Sequence, residues 1–124
     1  YVCAPAPLQQ GCADGVEQLG AEFYVELARQ HEAKRGMMVD ALRAAGMQPH
    51  VPDGAYYVLA SVANLPGGTA AEKARALLAK TGVAAVAGSA FFRPGRGEDL
   101  LRFCFAKKDA DLAEACRRLR AMGS

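Results

Sequence analysis

The sequence predicts an α+β fold in which a small, mostly antiparallel sheet is covered by helices and preceded by a long N-terminal helix. Three observations carry that expectation. Apolar residues recur at helical spacing through Val16, Leu19, Phe23 and Leu27, and again through Met38, Ala41, Leu42 and Ala45. Runs rich in branched and aromatic residues, Met47 to Val51, Ala55 to Ser61, Val83 to Ala87 and Leu100 to Ala106, read as short strands. Between the second and third runs, Thr69 and Glu72 form a capping-box signature for a helix that Gly82 ends.

In chain order, Pro5 and Pro7 break the opening segment, so the first helix is expected from about Val16, with Glu17, Glu22, Glu26 and Arg29 on its polar faces. His31 and Lys34 interrupt its apolar stripe and Gly36 weakens it, which predicts one long bent helix or two in tandem, ending at Gly46. Pro52-Asp53-Gly54 turns the first strand into the second, and Leu65-Pro66-Gly67-Gly68 leads into the capped helix. Gly88 to Asp99 reads as a loop rich in glycine and arginine. Asp109 is expected to cap the last helix and Asp111 to complement its dipole, with Leu112, Cys116 and Leu119 as the buried stripe and Gly123 as the end.

Composition narrows the function. A chain of 124 residues with 52% hydrophobic and 23% charged side chains makes one globular domain with a real core. A net charge of +2 is too small for a nucleic-acid footprint, and Lys34-Arg35, Lys107-Lys108 and Arg117-Arg118-Arg120 read as solvated helix faces or element ends. The four cysteines, Cys3, Cys12, Cys104 and Cys116, contain no CxxC pair and stand without histidine at ligand spacing, so no metal site is expected. They read as reduced, mostly packed thiols of a cytoplasmic protein. The longest uncharged stretch, Gly54 to Ala71, is broken by Pro66, Gly67 and Gly68 and cannot span a membrane as one helix. The chain opens on Tyr1 rather than Met, and residues 1–15 are expected to be a segment left from a junction with a preceding domain, the folded domain being 16–124.

Few side chains carry chemistry. The glycines of Gly88 to Gly97 do not fit a nucleotide-binding loop. Phe91 and Phe92 either line a substrate entrance or pack, one in the core and one over the sheet edge. Tyr56 and Tyr57 either orient a ligand or alternate between core and surface. His31 sits mid-helix with no neighbour in sequence for acid–base work. Arg102 is the informative residue: in Leu100-Leu101-Arg102-Phe103-Cys104-Phe105-Ala106, period two puts Leu101, Phe103 and Phe105 on one face and Arg102 on the other with Leu100, Cys104 and Ala106. A permanently charged guanidinium in such a strand needs an anion, supplied either by a carboxylate of the same domain or by a bound ligand.

Leu101 to Leu112, with the preceding Val83 to Phe92, resembles the end of class I/II (fold type I) pyridoxal-phosphate aminotransferases, and most of all the kynurenine, glutamine and methionine aminotransferase branch, where a strand of the form LRFxFxK precedes the closing helix. Pro5-Ala6-Pro7-Leu8-Gln9 is similar to that family's PxPxQ segment, and Pro52-Asp53-Gly54-Ala55-Tyr56-Tyr57 to its PxGxYF hairpin, with Tyr57 in place of the usual Phe. The resemblance implies a C-terminal small domain whose Arg102 grips the α-carboxylate of an amino-acid substrate. It implies a homodimeric parent that moves an amino group from an amino acid to a 2-oxo acid, with pyridoxal 5'-phosphate as cofactor. No catalytic or cofactor-binding residue of the family matches a position here: Lys34, Lys73, Lys80, Lys107 and Lys108 do not correspond to its Schiff-base lysine. The chain alone is therefore expected to bind no cofactor and to be inactive, those groups belonging to a large domain. The alternatives are a free-standing α+β interaction or ligand-binding module with Arg102 in a structural ion pair, or a lyase or synthase of the same fold type.

Overall fold

The computed structural model describes residues 3–123, so the first two positions of the expected junction segment and the last of the expected domain lie outside the described residues. The chain divides into two compact units, one up to Gln30 and one from His31 onward.

The first unit is helical. Helix α1 spans Ala6–Gln18 and α2 starts at Ala21, running on to Ala44 in the second unit. Helix therefore begins earlier than the prolines predict. Pro5 takes the cap position and Pro7 the first turn, where a backbone N–H would have no intrahelical acceptor, so proline costs nothing there. The break between tandem helices falls at Leu19-Gly20 instead of near Gly36. Gly36 is exposed and inside α2, where glycine costs only helix propensity and the packing of Met38, Val39, Ala41 and Leu42 offsets it. The apolar stripe Val16, Leu19, Phe23 and Leu27 is exposed.

The second unit contains strands β1 (Gln48–His50), β2 (Tyr57–Ser61), β3 (Val86–Ala87) and β4 (Leu100–Cys104), and helices α3 (Ala70–Thr81) and α4 (Asp109–Arg120). The strands form one sheet in the order β1-β2-β4-β3, antiparallel throughout. Alternation decides its two faces. Val58, Ala60, Leu101, Phe103 and Phe105 point into a core completed by Met38 and Leu42 of α2, Leu77 of α3, and Leu112, Cys116 and Leu119 of α4. Tyr57, Leu59, Ser61, Leu100, Arg102 and Cys104 lie on the opposite face, half-buried.

Helix α3 has the capping box that Thr69 and Glu72 predict, and Gly82 closes it with φ +71, a left-handed conformation that glycine adopts without Cβ strain. Asp109 is not the cap of α4. Lys108 occupies that position without a side-chain hydrogen bond, and Asp109, the first helical residue, pairs with Lys34 at 2.9 Å. The helix ends at Arg120 rather than at Gly123.

Candidate functional site

Arg102 stands mid-strand on β4, opposite Leu59 of β2 on one side and Val86 of β3 on the other. Among the described residues it forms no ion pair with any carboxylate. Two aromatic rings partner it instead. Its guanidinium carbon lies over the Tyr57 ring, 5.0 Å from the centroid, and over the Phe91 ring at 4.5 Å. Tyr57 opens β2, and Tyr56 packs edge-on against it with centroids 5.3 Å apart. Phe91 comes from the other flank, at the end of a 3-10 turn, Gly88–Phe91, that follows β3 directly.

The 3-10 turn is held by backbone contact. A Cβ on Gly88 would come within 2.6 Å of Leu100 and 2.7 Å of the Gly97 carbonyl, so only glycine lets the turn approach the start of β4 so closely. The segment expected to be a plain loop thus delivers an aromatic side chain to Arg102. Phe91 and Phe92 are 48% and 45% exposed, so neither packs in the core. Tyr56 is exposed and Tyr57 half-buried.

Several other ionic groups have structural partners. Lys73, nearly fully buried, forms an ion pair with Asp99 and donates to the Glu98 carbonyl at 3.4 Å, while the Glu98 carboxylate accepts from the Ala70 backbone N–H at 2.8 Å. These contacts strap the segment before β4 to the start of α3. Lys34 also donates to the Lys107 carbonyl at 2.7 Å, and Arg35 to the Pro52 carbonyl at 2.8 Å, tying α2 to the segments before β2 and after β4. His31 packs against Phe105, ring centroids 6.5 Å apart. Cys116 is buried, with its thiol held above the ordinary range by desolvation, whereas Cys3 and Cys12 are exposed and Cys104 is half-buried, so the cysteines are less uniformly packed than predicted. No three His, Cys, Asp or Glu side chains gather to hold a metal among the described residues, and no described helix is long and apolar enough to cross a membrane. A cavity of about 350 Å³ opens beside β4, lined by Met38, Val83, Phe103, Cys104, Lys107 and Arg118 among others, and Arg102 is not part of its wall.

The profile of the aminotransferase class I and II family matches residues 1–119. The chain belongs to that family. Methionine aminotransferase of Escherichia coli is 30% identical over 116 residues, covering 94% of this chain and 30% of that protein. Kynurenine–oxoglutarate transaminase 3 of Mus musculus is 30% identical over 143 aligned positions, covering 100% of this chain and 31% of its own length. The solved structure of N-succinyldiaminopimelate aminotransferase from Mycobacterium tuberculosis superposes with a TM-score of 0.82 at 32% identity, covering 96% of this chain and 31% of that one. The chain thus spans about 30% of the length of these class I and II aminotransferases.

The family is generally pyridoxal-phosphate dependent, and among the described residues no lysine stands beside Arg102 on its sheet face. Lys34 and Lys73 are engaged by Asp109 and Asp99, and Lys80, Lys107 and Lys108 are exposed. None of them belongs to the strands that form the face carrying Arg102.

Proposed function

We propose that this chain is the C-terminal small domain, residues 16–124 with residues 1–15 as the junction, of a pyridoxal-phosphate aminotransferase that moves an amino group from an amino acid to a 2-oxo acid, and that Arg102 binds the α-carboxylate of the substrate. The observation that carries this reading is a guanidinium set in a strand, unpaired with any carboxylate among the described residues and stacked only on aromatic rings. Rings accept no N–H hydrogen bonds of the in-plane kind, so the planar fork keeps its donors for a planar acid. Two parallel N–H···O bonds fix the position and the rotation of the carboxylate, and with it the direction of the substrate's Cα–H bond. Phe91, half-exposed beside Arg102, borders the approach to it. The lysine that holds the cofactor belongs to a large domain outside these residues, and the whole enzyme is a cytoplasmic homodimer.

The test uses the longer protein loaded with its cofactor. Arg102→Lys keeps the charge and removes the fork, and is expected to lower kcat/KM for the amino acid by about 100-fold, within the roughly 2–5 kcal/mol that truncating one side of a hydrogen-bonded charge pair costs. Cofactor absorbance should stay unchanged. Unaltered kcat/KM in the variant overturns the carboxylate role of Arg102.

A further inference from the structure

We infer that Tyr57 and Phe91 are positioning residues that clamp the Arg102 guanidinium in its carboxylate-binding orientation before any substrate arrives. The inference rests on the carboxylate role given to Arg102 above and adds what makes that role possible.

A half-buried guanidinium flanked by Leu59 and Val86 has lost part of its water and needs electrostatic compensation. A carboxylate neighbour would provide it, but would also occupy the donors that the substrate must use. The negative faces of aromatic rings compensate the cation without accepting those donors. Arg102 has two such faces, at 4.5 and 5.0 Å, and they come from opposite flanks of β4: Tyr57 from β2 and Phe91 from the turn after β3. Each ring is itself braced. Tyr56 meets Tyr57 edge-on at 86°, and the turn carrying Phe91 is fixed by the close approach of Gly88 to Leu100. The side chain is thereby pre-set, and binding loses less rotamer entropy than a free arginine would. The Tyr57 hydroxyl makes no hydrogen bond among the described residues, so its ring carries the effect.

In the cofactor-loaded longer protein, Tyr57→Leu and Phe91→Leu are each expected to raise KM for the amino acid roughly 5- to 30-fold, with a smaller change in kcat, the range set by one cation–π contact. The salt dependence of kcat/KM should steepen as water reaches the guanidinium. Tyr57→Phe, which retains the ring, should match the unmodified enzyme. Should a leucine variant fail to fold, Tyr57→Phe against Tyr57→Met and Phe91→Tyr against Phe91→Met ask the same question with an unbranched, adaptable side chain in place of the ring. Ring-free variants with unchanged KM and salt slope overturn the clamp. If Arg102→Lys is crippled while those variants are silent, only the clamp fails. If Arg102→Lys is itself silent, the carboxylate reading fails and the clamp goes with it.

Discussion

Two cations on this sheet and its border are stabilised by opposite means. Lys73 has its side chain only 6% exposed and relies on Asp99, itself 67% exposed, whereas Arg102 relies on rings. The difference sorts them by purpose, because an ion pair consumes the charge and a ring does not. Asp99→Asn should therefore strand a buried ammonium and lower unfolding free energy by about 1–2 kcal/mol, a value discounted for the exposure of Asp99. Lys73→Met, which removes the charge and keeps the stem, should cost less than about 1 kcal/mol. Urea denaturation of the two variants checks the order, and equal losses would mean that the pair, not the stranded charge, carries the energy.

At the scale of elements, α4 shows how a surface helix is held by its own charges. Hydrogen bonds from Arg117 and then Arg118, at 2.7 Å each, pull the Glu114 carboxyl down from 4.5 to about 2. A depressed carboxyl stabilises the fold above its unfolded value and loses that effect as pH falls through its folded one. The stability gap between the unmodified chain and Glu114→Gln should hence be full above pH 4.5 and vanish towards pH 2, as followed by denaturation at successive pH values. Legibility also varied element by element. The ends of α3 were readable because Thr69, Glu72 and Gly82 act within a few residues of one another. The faces of β4 were readable because period two is a property of the strand alone. The start of α1 is hidden in the sequence because proline breaks a helix interior yet suits its first turn, and the break at Leu19-Gly20 bears no stronger signal than Gly36. The 3-10 turn was invisible, since its cause is the approach of Gly88 to Leu100, a contact that exists only after β3 and β4 have paired.

For the whole molecule, the same division holds between what one residue announces and what folding assembles. Arg102 could be picked out from its neighbours in sequence, but its two rings lie on other elements and meet it only through the order β1-β2-β4-β3. Cysteine accessibility offers a global check on that assembly. Cys3 and Cys12, both exposed, should react fastest with a thiol reagent, Cys104 more slowly, and Cys116, buried against α2 with its thiol pushed up, only when the second unit unfolds. Mass spectrometry of the labelled chain reads each site, and rapid labelling of Cys116 under native conditions would contradict the packing of α4.

Along β4, odd-numbered side chains face the core and even-numbered ones the open face. Selection can therefore vary positions 59, 61 and 104 around Arg102 with little disturbance to the interior, and one sheet face can host a drifting ligand preference over an inherited scaffold. A library confined to those three positions would explore recognition around a fixed Arg102 while leaving the core-facing side chains unchanged.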